Sequence, residues 1–278
     1  MFFFEIVQHA GNIFIGMKIN GCIQVRWIYG LLLALLPFAL KAQSPRISDH
    51  NMIGWIAFNG TIHLDPNWSL HTEYQFRRDE FLSEWQQSLF KAGINYTINP
   101  ALTLRLGYAL AETFDYGDIP INVYGKQFTE HRLFQMVSLS DNVGITGLNH
   151  RFMLEQRWVG RYSAPELDKE DGYTYVNRFR YMFRAQLPLK GTRIQDKTPY
   201  AAVYDEILIG FGKNVNQNVF DQNRLGLLLG YQFSGLLRVE GGFLSQIAQL
   251  PRRVNDKQVF QYNNGLILSA TFNFNRNR

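Results

Sequence analysis

The sequence predicts an all-β chain: a transmembrane, antiparallel up-and-down β-barrel of about 12 strands, with ten as the alternative count, behind an N-terminal signal peptide. Three observations predict it. Apolar and polar residues alternate through most of 50–274, the pattern of strands with two different faces. The alternating segments run about 10–15 residues, whereas a globular strand usually has five or six and a membrane-crossing strand needs about 9–11. The composition is 46% hydrophobic and 15% aromatic but only 18% charged, against about 25% charged for an average soluble domain. The mean hydropathy of −0.18 excludes a multi-helix membrane protein. It does not exclude a barrel, whose two faces average out.

The N-terminal segment comes first. The only long apolar run is 27–40, including Leu31-Leu32-Leu33-Ala34-Leu35-Leu36, and it is shorter than the ~20 residues of a spanning helix. Lys18 and Arg26 precede it and Lys41-Ala42-Gln43-Ser44 ends it, which is the layout of a secretory signal. Cleavage is expected after Ala42, with an uncleaved anchor as the alternative. Met17-Lys18 offers an alternative start, leaving 1–16 outside the signal. The reading is therefore 1–42 signal peptide and 43–278 a single barrel domain. Removal of 1–42 takes away Lys18, Arg26, Lys41 and Glu5, so the net charge falls from +5 to +3. It also removes Cys22, the single cysteine, so no disulfide framework exists.

The strands follow in order. An early one covers about 51–64. In 68–77, Trp68, Leu70, Thr72, Tyr74 and Phe76 oppose Ser69, His71, Glu73, Gln75 and Arg77. In 86–98, Phe90, Ala92, Ile94, Tyr96 and Ile98 oppose Lys91, Gly93, Asn95 and Thr97. In 102–111, Leu102, Leu104, Leu106, Tyr108 and Leu110 oppose Thr103, Arg105, Gly107, Ala109 and Ala111. Phe152, Leu154 and Trp158 oppose Arg151, Glu155 and Arg157, with Gln156 a polar exception on the apolar face. Phe179, Tyr181, Phe183, Ala185 and Leu187 oppose Arg178, Arg180, Met182, Arg184 and Gln186. The same holds for Leu225–Phe233 against Arg224–Gln232, for Leu237–Phe243 against Arg238–Leu244, and for Leu266–Phe274 against Gly265–Asn273. Segments 128–139 and 199–212 are strands with less clean faces. Short turns are expected at Asp65-Pro66-Asn67, Asn99-Pro100, Ser140-Asp141-Asn142 and Ser234-Gly235. Longer polar connections at 78–84, 112–127, 161–172, 213–218 and 249–257 alternate with them. Eleven segments are counted; twelve is preferred because single-chain bacterial barrels normally have an even number.

The apolar face reads as a lipid face. Strand length, aromatic residues near strand ends and the short–long alternation of connections fit an outer-membrane barrel. So does the use of 18 Arg against 7 Lys after residue 42, because Arg pairs carboxylates better in a confined space. A soluble secreted barrel is the rival architecture. Parity then places Glu73, Arg77, Arg105, Arg151, Glu155, Arg157, Arg178, Arg180, Arg184, Arg224, Arg238 and Glu240 inward, with Glu206 joining them if Ile207 and Ile209 face lipid. Such charges would pair across the lumen, since an unpaired one costs several kcal/mol, roughly. The lumen is read first as a polar plug, second as a pathway or site for an anionic solute.

The segments Glu130-His131-Arg132, Arg151-Phe152-Met153-Leu154-Glu155-Gln156-Arg157, Arg178-Phe179-Arg180, Tyr204-Asp205-Glu206 and Asn223-Arg224 resemble the family of unknown function DUF2490. The resemblance covers most of 50–274. It implies a predicted outer-membrane barrel of Gram-negative, Bacteroidota-type bacteria and carries no established activity.

Catalytic and ligand motifs are weak. Ser69, His71 and Glu73 share a face, but i and i+2 on a strand lie about 6.6–6.8 Å apart, beyond the ~2.6–3.2 Å of a nucleophile–base pair. His131 and Ser138 differ in parity. The six His are scattered and no acidic loop has calcium-binding spacing, so neither metal nor cofactor is expected. Gly210-Phe211-Gly212-Lys213-Asn214 lacks the gap, the Ser/Thr and the helix of a phosphate loop. Arg252-Arg253 and Lys169-Glu170-Asp171 read as solvated loops. No basic cluster supports nucleic-acid binding. The expected partners are outer-membrane lipid and lipopolysaccharide, barrel-assembly machinery during insertion (the chain ends in the aromatic strand Phe272-Asn273-Phe274) and an envelope protein. The expected role is structural or accessory to an envelope assembly. The alternatives are a channel for a small polar or anionic solute and an outer-membrane lipid-modifying enzyme.

Overall fold

The computed structural model describes residues 46–216 and 218–275. The signal segment 1–42, its cleavage after Ala42, and Cys22 lie outside the described residues. Eleven strands close into one barrel: β1 (Arg46–His63), β2 (Trp68–Asp79), β3 (Glu84–Asn99), β4 (Leu102–Thr113), β5 (Phe128–Val143), β6 (Thr146–Arg161), β7 (Gly172–Pro188), β8 (Thr198–Phe211), β9 (Phe220–Gln232), β10 (Leu237–Val254) and β11 (Lys257–Asn275).

Each strand is antiparallel to its sequence neighbour, while β1 and β11 close the barrel in parallel. Parallel closure is how an odd number of strands can close, and it accounts for a count one below twelve. The early strand also begins sooner than expected, at Arg46 rather than 51. Arg46 pairs Gln258 and His63 pairs Asn275, so the start of β1 and the end of β11 lie at opposite rims.

Register fixes the geometry. Successive partners from His63 run Ser69, Asn95, Arg105, Met136, Met153, Arg180, Leu208, Gln222, Ala248 and Gln261, and return to Asp49. That displacement of 14 residues along β1, spread over strands about 4.8 Å apart, gives a tilt of about 41° and a backbone radius of about 11 Å.

The predicted outer face is exposed and apolar. Phe58, Leu70, Phe90, Ile94, Leu106, Leu110, Leu133, Phe179, Leu227, Leu229, Leu266 and Leu268 all point outward. Outward aromatics border this band. Trp68 packs on Tyr96 and Tyr231 on Phe233 at one edge; Trp158 packs on Tyr175 at the other. Tyr262 and Phe272, one near each edge, are ten residues apart on β11, which at this tilt is about 25 Å, the height of a barrel's lipid-facing band. Polar exceptions on the outer face are paired with each other. Gln156 and Gln135 exchange amide hydrogen bonds of 3.1 and 3.2 Å, and Asn223 Nδ2 donates to both oxygens of Asp205 at 3.1 Å.

Connections depart from expectation in two places. The turn expected at Ser140-Asp141-Asn142 is strand, and the chain reverses at Gly144-Ile145, where Gly144 has φ +60°. The reversal needs positive φ, which glycine supplies without a Cβ penalty. The expected loop 249–257 shrinks to Asn255-Asp256, both with positive φ, and β10 and β11 run on above the wall. Asn and Asp tolerate this conformation in a two-residue hairpin. The connections 114–127, 162–171 and 212–219 share one rim, hereafter the long-loop rim. At the opposite rim the 189–197 connection is the long exception.

Candidate functional site

The interior is filled. Small inward residues make room for large ones: a Cβ on Gly107 would lie 2.4 Å from the Phe134 ring, and one on Gly226 or Gly230 would lie 2.1 and 2.3 Å from the rings of Tyr204 and Tyr200. Those rings therefore lie flat over the glycines. Leu89, Ala109, Ala111, Phe134, Met136 and Met153 form an inward apolar cluster, and Ile53, Trp55 and Leu244 another. The filling is thus part apolar as well as polar, where the expectation is a polar plug. β5 turns Phe134 and Met136 inward and Leu133 and Val137 outward, so both of its faces are apolar, which is why its parity was hard to read.

Between the apolar clusters lies an ion-pair layer. Glu155 accepts from Arg178 Nε at 2.6 Å and Arg180 Nη1 at 2.9 Å. Arg178 Nη1 also donates to Asp221 at 2.6 Å. Glu206 accepts from Arg180 Nη2 at 2.7 Å and Arg151 Nη2 at 2.8 Å, with Arg224 Nη1 at 3.5 Å. Ile207 and Ile209 do face outward, so Glu206 turns inward. Arg157 pairs with Glu130, which Arg132 also grips at 2.7 and 2.8 Å. Lower in the barrel Arg184 pairs with Glu240, which also accepts from Tyr200 at 2.7 Å. Glu73 pairs with Lys91 at 2.8 Å.

Three inward arginines have no carboxylate in ion-pair range among the described residues. Arg77 donates to Gln75 and Gln87, Arg105 to Asn95 at 2.6 Å, and Arg238 to Gln232 at 2.7 Å. Members of the layer outside the lumen charges assigned from parity are Glu130, Arg132, Lys91 and Asp221. Lys91 was on the inward parity. Glu130 and Arg132 sit on β5, whose two apolar faces hide the parity. Asp221 turns inward beside the register shift between β8 and β9, which no periodicity reveals.

The candidate Ser/His group does not assemble. Ser69 Oγ accepts from Asn95, and His71 Nε2 lies 3.6 Å from Glu73 Oε2, beyond a hydrogen bond. His131 faces outward between Tyr108 and Tyr173. No group of three or more His, Cys, Asp or Glu among the described residues could hold a metal.

At the long-loop rim the 114–127 connection crosses the mouth as a strap. Tyr116 donates to Gln261 on β11 at 2.8 Å, and Arg252 Nε and Nη2 donate to Pro120 O at 3.0 and 2.7 Å. Burial pushes the Tyr116 hydroxyl up to about 12, so it stays a donor. Lys126 Nζ donates to the carbonyls of Pro165 and Leu167, both at 2.6 Å, and Tyr162 donates to Gln127 O. Arg252, Glu170 and Asp171 are therefore not simply solvated. Glu170 bonds the Thr129 hydroxyl at 2.6 Å, and Asp171 accepts from the Ser163 hydroxyl and, at 3.0 Å, from the Ser163 amide, which hold its carboxyl below the usual range. Beneath the strap lies a cavity of about 430 Å³ whose floor is the arginine layer.

No curated protein matches this sequence. Among solved structures, one titled "NanC porin structure in rhombohedral crystal form" is similar over 75% of this chain and 92% of that chain, at 11% identity and a TM-score of 0.40. The sequence profile of one family, described as "Protein of unknown function (DUF2490)", matches residues 52–258. The chain, with its closed barrel and paired lumen charges, belongs to that family.

Proposed function

We propose that the protein is an outer-membrane barrel, exported by its 1–42 segment, that is closed to free diffusion and acts as a structural or accessory component of the envelope through its long-loop rim. The supporting observation is the filled mid-lumen. Arg178, Glu155, Glu130, Phe134, Leu89, Ile53, Leu244 and Leu208 are each under 2% exposed although all project into the barrel. The apolar band and its aromatic edges support a bilayer setting, with lipid and lipopolysaccharide as the surrounding partners. The test is conductance in planar bilayers after verified insertion. Quiet membranes are expected; a steady open-channel current overturns the closed reading. A second reading, passage of a small anionic solute, draws on Arg77, Arg105 and Arg238, which lack carboxylate partners among the described residues. It would need the ion-pair layer to part, and so predicts current that appears only with the solute present.

A further inference from the structure

The cavity beneath the strap has a floor with unsatisfied positive charge. Arg77 and Arg224 stack on the same indole, their guanidinium carbons 4.0 and 5.2 Å from the Trp55 ring centroid. Both are buried, at 6% and 7% exposure, and both line the cavity. Two like charges on one ring repel at close range, and a shared counter-anion would normally hold them. Arg77 has amide partners only. Arg224 has Glu206 at a long 3.5 Å and Gln222 at 2.6 Å, and its buried Nε has no acceptor among the described residues. The other floor cations, Arg132, Arg157 and Arg178, face the two lining carboxylates Glu130 and Asp221, which they already saturate. Above, the strap contributes half-buried Ile121 and the neighbouring loop contributes buried Val215.

We infer that this chamber binds a small organic anion, its oxyanion held by Arg77 and Arg224 and its apolar body lying under the strap. A planar guanidinium pair presents a fork that suits carboxylate or phosphate oxygens. A site shielded from water strengthens that attraction. The apolar roof disfavours a bare inorganic ion, which would gain nothing from Ile121 and Val215. The inference rests on the closed reading only for the chamber's floor.

Calorimetric titration of the purified full barrel in detergent tests it, with phenyl phosphate as probe and inorganic phosphate and neutral phenol as comparisons. Saturable binding of phenyl phosphate is expected, at least tenfold tighter than either comparison. Arg77→Gln should weaken it at least tenfold. Ile121→Trp, which fills the roof and touches no ion pair, should abolish it with unfolding unchanged; it keeps the test decisive if Arg77→Gln misfolds. No binding by the native barrel, or binding unaffected by Ile121→Trp, overturns the inference. Conductance reads the floor separately. A barrel that conducts but still binds the probe refutes only the closed lumen; a silent barrel that fails to bind refutes only the chamber.

Discussion

Two adjacent carboxylates on β8 should respond unequally to loss of charge. Glu206 points into the lumen, 3% exposed, and serves Arg151, Arg180 and Arg224. Asp205 points outward and among the described residues has only Asn223 as hydrogen-bond partner. Glu206→Gln preserves shape but leaves three guanidiniums around a neutral amide, one of whose ends is itself a donor. Removing one partner from a buried pair costs about 3–5 kcal/mol. The remaining amide oxygen can still accept one bond, so about 3 kcal/mol is expected. Asp205→Asn removes a charge from the outer face, where in a bilayer an acidic residue costs less than the ~2–4 kcal/mol of a midplane Arg or Lys. It also weakens the bonds from Asn223, and the two effects offset each other to within about 1 kcal/mol. Urea unfolding in lipid vesicles, followed by tryptophan fluorescence, reads both as midpoint shifts at constant slope. Equal losses from the two variants, or a loss under 1 kcal/mol for Glu206→Gln, would refute the assignment of faces.

Gly242→Ala should cost about 1–3 kcal/mol by overpacking, because its Cβ would lie 2.1 Å from Leu227 O. Gly235→Ala, with nothing within 4 Å, should unfold like the native protein in the same assay. Arg252→Ala removes both charged bonds to Pro120, each worth about 1.5–3 kcal/mol. Amide exchange in 114–127 should therefore quicken at least tenfold while the amides of β5–β8 keep their rates; uniform quickening would mean that the strap is not a separate unit.

The wall was legible in the sequence wherever its two faces differed in chemistry. β2, β4, β7 and β9 set apolar side chains against Arg, Glu, Gly and Gln, and a one-residue slip would have buried the wrong set. β5 was harder, because Phe134 inward and Leu133 outward satisfy either parity. Arginine parity located most of the lumen charges, yet parity says only which face a charge shares, not which partner it meets. That Arg180 bridges Glu155 and Glu206, while Arg77 donates to glutamines and stacks on Trp55, depends on the barrel's stagger and on side-chain reach. The strap was read as a polar loop. Its inward fold depends on contacts between residues over a hundred positions apart, such as Arg252 to Pro120, which no local pattern encodes.

The alternation of outward-facing and lumen-facing residues underlies every assignment, and spin labels placed singly along 225–231 measure it most directly. Leu225, Leu227, Leu229 and Tyr231 are exposed outward, while Leu228 is 6% exposed and inward. Collisional access of oxygen in a bilayer should peak at 225, 227, 229 and 231 and fall at 228, with Gly226 and Gly230 left unlabelled because a Cβ there would strike Tyr204 and Tyr200. A profile without a period of two, or one with its maximum at 228, would contradict the barrel's division into an apolar wall and a charged, closed interior.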